Sequence, residues 1–287
     1  TKELFKGNPA GVVANADGLT VEQMQNIARE LNNSETAFIL NPTGSDHDVW
    51  IRFFTPYVEV PICGHATIAA HFIRALENNY ESKTVIQKTG AGILPVEIVR
   101  NDSGYKITMT QGEIVFEPPL NKERCKELRK ALRLEEEEFY NECPIQIVST
   151  GHSKVMIGIK TQKALDELKP DMQALASIGK EIKCNGYFVF TFDTSEEDIL
   201  TKGRMFAPAI GINEDPVTGN ANGPLGAYLV KHKLVKAGGS KFQFTGKQGE
   251  AIKRPGVIDV EVEIENEEPK KIKIRGNAVV VFKTEIE

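Results

Sequence analysis

Two stretches of the chain place a glycine directly ahead of an apolar run, with acidic and thiol or hydroxyl side chains just upstream. They are EVPICGHATIAAHFIRAL, residues 59–76, and EDPVTGNANGPLGAYL, residues 214–229. A helix that begins at such a glycine leaves its first N–H groups without intrahelical acceptors, and that end carries partial positive charge. It is a ready site for an anion, and glycine lets the backbone come close to a ligand. Gly64 and Ala66 in the first stretch, and Gly219, Asn220 and Ala221 in the second, are therefore candidate contacts for a small carboxylate-bearing molecule. Tight turns alone would use the same glycines, so one copy does not separate the two readings.

Three titratable residues stand where they can move protons. Glu35 lies in LNNSETAFIL, at the passage from a helix to a strand. Beside Ala37-Phe38-Ile39-Leu40 it is either a partly desolvated carboxylate, whose raised pKa suits a general base, or a solvated turn residue. His65 follows Gly64 and is either a general acid/base or ligand donor, or a residue that satisfies the helix start. Asp215 precedes Gly219 by four residues. It either bonds His65 or shares a proton with a ligand, or else it caps the helix together with Glu214. Cys63 stands next to Gly64, but its counterpart is Thr218, too weakly acidic to oppose it as a second base. A two-cysteine racemase is disfavoured on that ground. His47, His71, His152 and His232 fall on loops or helix faces without a signature.

The two stretches belong to a duplication. Glu59, Pro61, Gly64 and Ala66 match Glu214, Pro216, Gly219 and Ala221 at an offset of 155. Upstream, Arg52-Phe53-Phe54-Thr55-Pro56 matches Arg204-Met205-Phe206-Ala207-Pro208 at an offset of 152. Downstream, Thr89-Gly90-Ala91-Gly92 is set against Thr245-Gly246-Lys247-Gln248-Gly249 at an offset of 156. A helix over 20–31 followed by TAFIL parallels a helix over 161–182 followed by YFVFTF. Each half reads helix, strand, Arg-x-Phe strand, glycine turn, apolar helix, then several strands.

The expected fold is thus α+β, with two pseudo-symmetric halves, each a strongly curved sheet around one central helix. Expected strands cover 10–14, 36–40, 49–54, 84–87, 93–99 and 106–110, then 146–149, 154–159, 187–192, 204–207, 241–245 and 257–264, with KKIKIRG and AVVVFK closing the chain. A helix apolar on all sides is buried, which makes 66–76 and 221–230 the central helices. The two N-termini would then face one shared cleft. The stretch 113–123, with Pro118-Pro119, reads as the link between halves. The halves are expected at 1–113 with about 277–287, and at 114–276. The acidic run Glu135–Glu138 is expected on the surface.

Composition narrows the function classes. With 287 residues, a 40% hydrophobic and 26% charged make-up and a net charge of −5, the chain reads as globular and lacks the basic face that nucleic-acid binding wants. No apolar run reaches the ~20 residues of a membrane span. No signal peptide is apparent, so a cytoplasmic location is expected. The four cysteines, Cys63, Cys125, Cys143 and Cys184, form no C-x-x-C pair, and no metal is expected from spacing.

GNPAGVV (7–13), SETAFI (34–39), RFFTPYVEVPICGHAT (52–67), EDPVTGNANGPLGAYL (214–229) and QGEAIKRPG (248–256) occur in order, and with them the chain resembles the PhzF-like isomerases of phenazine biosynthesis. The resemblance runs from Gly7 to about Gly256. It implies a diaminopimelate epimerase-like fold of two matching halves with the active site between them. It also implies Glu35 as catalytic acid/base, His65 and Asp215 as site residues helping proton transfer, no metal or organic cofactor, and a homodimer. It implies a strand ahead of GNPAGVV, of which the residues from Thr1 hold only the approach. The expected reaction moves a proton within a small carboxylate-bearing substrate, without nucleic-acid or membrane partners. An amino-acid racemase or epimerase using Cys63 with another base, and a small-acid-binding protein without turnover, are the alternatives.

Overall fold

Alternation decides the strands. In Val49-Trp50-Ile51-Arg52-Phe53-Phe54, Val49, Ile51 and Phe53 are buried while Trp50 and Arg52 stay partly open, and the run forms strand β3 (Val49–Phe54). The structure is a computed structural model and describes residues 1–102 and 104–285. Among these the chain is a mixed α/β protein with six α-helices. It divides into two units: Thr1–Thr110 with Arg275–Glu287, and Gln111–Ile274. No helix of the described residues is long and apolar enough to cross a membrane.

Unit 1 contains β1 (Ala10–Val13), α1 (Val21–Leu31), β2 (Glu35–Leu40), β3, β4 (Glu59–Val60), α2 (Gly64–Glu77), β5 (Lys83–Thr89), β6 (Gly92–Asn101) and β7 (Gly104–Thr110). Its strands lie in the order β1-β2-β3-β5-β6-β7, with β4 beside β3. β1 runs parallel to β2, β2 antiparallel to β3, β3 antiparallel to β4 and parallel to β5, and β5, β6 and β7 form antiparallel pairs. Thr20 opens α1 with a capping box shared with Gln23. Met24 and Ala28 of α1 pack with Ala16, Phe38 and Phe54, and the two phenylalanine rings meet edge to face at 5.3 Å. Helix α2 packs on β1, β2 and β7.

Unit 2 contains β8 (Val115–Pro119), α3 (Lys122–Leu132), β9 (Gln146–Ser149), β10 (Lys154–Gly158), α4 (Gln162–Glu167), α5 (Met172–Glu181), β11 (Tyr187–Thr191), β12 (Thr201–Ala207), β13 (Ile212–Asp215), α6 (Gly219–Lys231), β14 (Lys241–Gln248), β15 (Gly256–Glu265) and β16 (Glu268–Gly276) up to Ile274. The strand order is β8-β9-β10-β11-β12-β14-β15-β16, with β13 beside β12. β10 runs parallel to β11, β11 antiparallel to β12, β12 antiparallel to β13 and parallel to β14, and β14 antiparallel to β15. Every residue of α6 from Ala221 to Val230 is buried, as its apolar character on all sides requires. A core of aliphatic and aromatic residues, among them Leu128, Leu132, Ile157, Leu175, Val189 and Phe206, lies among α3, α5 and the neighbouring strands.

Three expectations are corrected. The stretch 113–123 is not a bare link. It holds edge strand β8, where Pro118 and Pro119 are tolerated because an edge leaves one row of backbone groups unpaired, and then the start of α3. The helix expected over 161–182 is two helices. Pro170 lacks the N–H that a continuous helix would need, and Asp171 caps the restart by accepting from the Ala174 N–H. The closing AVVVFK, 278–283, is not a strand. It joins no ladder, and Phe282 is exposed; β-propensity alone does not make a strand without a partner. Among the described residues, β1 is the first strand of the chain.

Candidate active site

In unit 1 the start of β2 meets the start of α2. The pleat puts Glu35 on the same face as Ala37 and Ile39, opposite Phe38, which packs under α1. Cys63 takes the N-cap position of α2, with extended backbone and no side-chain cap hydrogen bond. Gly64 and His65 follow as the first helical residues. Glu35 Oε2 lies 3.4 Å from His65 Nε2, and each side chain keeps 19% of its surface open to solvent. A carboxylate and an imidazole at this spacing, partly shielded from water, are equipped to hold and pass a proton.

Three further side chains surround the imidazole. Ser34 Oγ is 3.2 Å from Nε2, Asn8 Nδ2 is 3.4 Å from Nδ1, and Cys63 Sγ is 3.4 Å from Nδ1. An amide N–H toward Nδ1 favours the neutral tautomer protonated on Nε2, which then donates toward Glu35 or Ser34. The N–H groups of Gly64, His65 and Ala66 are those that helix geometry leaves without intrahelical acceptors. They belong to the same first turn of α2 that carries His65. Deeper in α2, His71 is fully buried and donates from Nε2 to Gln87 Oε1 at 3.0 Å. Burial pushes its pKa down to about 4, so it is a neutral core residue.

The remaining expected site residues belong to unit 2. Asp215 ends β13, and its carboxylate accepts a hydrogen bond from Thr218 Oγ1. Gln248 holds this corner together. Its Nε2 donates to Asp215 O at 2.6 Å and to Thr218 Oγ1 at 3.0 Å, and its Oε1 accepts from the Thr218 N–H at 3.2 Å. Gly219 opens α6, and its carbonyl accepts from Gln111 Nε2 at 3.0 Å; Asn220 Oδ1 accepts from the same nitrogen at 3.2 Å. The Ala221 N–H is already donated to Thr218 O at 3.2 Å. Lys154, nearly buried, is pushed below its ordinary pKa by desolvation, while the charges of Cys184 and Asp215 oppose that shift.

Sequence reasoning singled out Glu35, His65 and Cys63, and these are within reach of one another. It missed Asn8 and Ser34, although both stand in quoted motifs, GNPAGVV and SETAFI. Their polar side chains beside glycine, proline and a carboxylate were the available signal. Gln248 opens the quoted motif QGEAIKRPG but was not singled out there, and Gln111 and Lys154 carried no signal in sequence, because what they do comes from their packing beside α6 and β13.

The chain matches the family model described as phenazine biosynthesis-like protein over residues 1–284. An uncharacterized isomerase of Clostridium acetobutylicum is 61% identical over 286 residues, covering 100% of this chain and 95% of that protein. The trans-2,3-dihydro-3-hydroxyanthranilate isomerase of Pseudomonas chlororaphis is 32% identical over 275 residues, covering 96% and 92%. Among solved structures, a phenazine biosynthesis protein of the PhzF family from Bacillus anthracis aligns with a TM-score of 0.90 at 33% identity, covering 100% of this chain and 96% of that one.

Proposed function

The chain belongs to the phenazine biosynthesis-like family of isomerases, and from that premise we propose that it moves a proton between two carbons of a small carboxylate-bearing substrate, with Glu35 as the acid/base. The Glu35–His65 contact of 3.4 Å at the N-terminus of α2 carries this reading. Glu35 takes a proton from an activated carbon and returns it to another carbon on the same face of the substrate. One carboxylate serves both steps if both carbons come within about 3 Å of it. His65, held by Ser34 and Asn8, orients the carboxylate and shares its proton. Charge that develops on the substrate is met by the N–H groups of Gly64–Ala66; one preorganised donor of this kind is worth roughly 3 kcal/mol. The proposal rests on unit 1 alone.

The experiment incubates the purified protein in heavy water with small cyclic and acyclic acids. The first tried is trans-2,3-dihydro-3-hydroxyanthranilate, the substrate that the Pseudomonas relative's name states. Isomerised product carrying deuterium, absent with Glu35→Gln, is the expected result. Normal turnover by Glu35→Gln rejects the assignment.

The same proposal extends to the architecture: the two units are copies of one α+β unit of the diaminopimelate epimerase-like kind. The strand pairings within each unit support it. Parallel, antiparallel, antiparallel, parallel, antiparallel recurs from β1 to β6 and again from β10 to β15. So do two ion pairs. Arg52 on β3 grips Glu59 through two bonds of 2.7 Å, and Arg204 on β12 grips Glu214 through bonds of 3.0 and 2.7 Å.

A further inference from the structure

The cysteine spacing in the sequence speaks against a metal site, but the fold assembles what spacing does not. We propose that Glu35, Cys63 and His65 form a three-ligand site for a borderline-soft divalent cation of the zinc class, and that occupancy blocks proton transfer. Only the second half, inhibition, rests on the reading of Glu35 given above.

One ligand atom from each of the three residues lies within 4.8 Å of the others. Cys63 Sγ and His65 Nδ1 are 3.4 Å apart. A tetrahedral zinc, with bonds of about 2.3 Å to sulfur and 2.0–2.1 Å to nitrogen, holds those two atoms roughly 3.5 Å apart. That pair therefore needs no rearrangement. Glu35 Oε2 faces the other ring nitrogen, Nε2, at 3.4 Å, so to join a metal held by Cys63 and Nδ1 the Glu35 side chain turns across the ring edge through its side-chain torsions.

The chemistry of the donors selects the ion. One thiol, one imidazole and one carboxylate form a mixed sulfur–nitrogen–oxygen set. Magnesium and calcium prefer oxygen ligands alone, whereas zinc takes all three. The thiolate is the ligating form, and Cys63 stands at the N-cap of α2, where the helix end favours negative charge. Ser34 and Asn8 flank the two ring nitrogens of His65, so the nitrogen that does not take the metal keeps a polar neighbour. Three protein ligands leave the fourth position open, as in zinc sites that bind exchangeable water. With the metal in place, Glu35 is a ligand and no longer a base.

The test uses the full chain, reduced, with cobalt(II) as a spectroscopic stand-in and zinc as competitor. One equivalent of cobalt per chain is expected to give a thiolate-to-metal charge-transfer band in the near ultraviolet, and one equivalent of zinc is expected to abolish it. The band vanishes in Cys63→Ser and persists in Cys184→Ser. Should Cys63→Ser not fold, His65→Gln decides, with cobalt affinity lowered about 100-fold or more. No band, or a band that survives Cys63→Ser, overturns the site. Metal binding as described, with wild-type turnover unmoved by zinc, overturns the inhibition and counts against Glu35 as the proton carrier. A missing turnover with intact metal binding counts against the isomerase reading alone.

Discussion

Removing Arg204 is expected to cost far more stability than removing its counterpart Arg52, and the difference follows from burial. Arg204 has 11% of its side chain exposed and Glu214 has 8%. The guanidinium makes two bonds to Glu214, and its third nitrogen donates to Leu165 O at 3.0 Å and Leu168 O at 2.8 Å at the end of α4. Arg204→Met keeps much of the stem volume but leaves the Glu214 carboxylate buried without compensation. Breaking a buried pair in this way costs about 3–5 kcal/mol. Arg52 and Glu59 have the same bidentate geometry, but Glu59 is 40% exposed and water screens it. That pair is worth about 0.5–1 kcal/mol. The guanidinium also lies 5.3 Å from the centre of the Phe54 ring, which adds about 0.5–1 kcal/mol. Urea unfolding of both variants, followed by circular dichroism, is the assay. A third variant, Arg204→Met with Glu214→Leu, replaces the charge pair by apolar groups and is expected to recover about 2 kcal/mol or more of the single-variant loss. An Arg52→Met loss equal to the Arg204→Met loss, or a double variant no better than the single, refutes the reasoning.

Three other outcomes are expected. The imidazole of His71 stays neutral in the folded chain down to about pH 4, whereas in the unfolded chain it takes a proton below pH 6.5, so stability falls as pH drops through that window, by roughly 3 kcal/mol in all. His71→Gln lacks this contribution, and the urea midpoints of the two proteins, followed from pH 7 to pH 4, should converge; parallel curves contradict it. Gly249 has φ +87°, and a Cβ there would lie 2.3 Å from Arg254 O and 2.7 Å from Pro216 O, both fixed backbone atoms, whereas Gly18 has φ +85° and open space. Gly249→Ala is therefore expected to lose several kcal/mol and Gly18→Ala only about 1 kcal/mol, checked by thermal unfolding. Ser34→Ala removes one partner of His65 and is expected to lower turnover roughly fivefold with an unchanged melting temperature, as the loss of one hydrogen bond of about 1 kcal/mol implies. Unchanged turnover would remove Ser34 from the site.

Much of this was legible because a two-residue period and an apolar helix leave unmistakable marks. β3 runs over the residues its alternation indicated, and α1 begins one residue after its Thr20 cap. The Glu35–His65 contact joins two motifs thirty residues apart, and the motifs were visible while their contact was not. α3 passed unseen. Its buried Leu128, Ala131 and Leu132 follow a helical period, and Asn121 caps it, but the flanking charges drew attention to the acidic run instead. On the proposed duplication, the downstream match shifts by three residues: pairing sets Trp50 beside Lys88 and Lys202 beside Lys247, which aligns Gly90 with Gly249 rather than with Gly246. Each of these two glycines lies against a proline of its own unit, Gly90 against Pro61 and Gly249 against Pro216. Local letters favoured the wrong glycine, because the requirement comes from a neighbour distant in sequence. Gln111 is similar: a Cβ at residue 223 would sit 1.7 Å from its Oε1, so Gly223 and Gln111 depend on each other across more than a hundred residues.

The most direct test of the central claim is a comparison of wild type and Glu35→Gln in heavy water, with isomerised product followed by mass spectrometry and binding of the same acid by calorimetry. The account predicts that Glu35→Gln binds the acid within a fewfold of wild type yet forms product at least about a thousandfold more slowly, as expected when the acid/base itself is removed. Product formed by Glu35→Gln at the wild-type rate would contradict it.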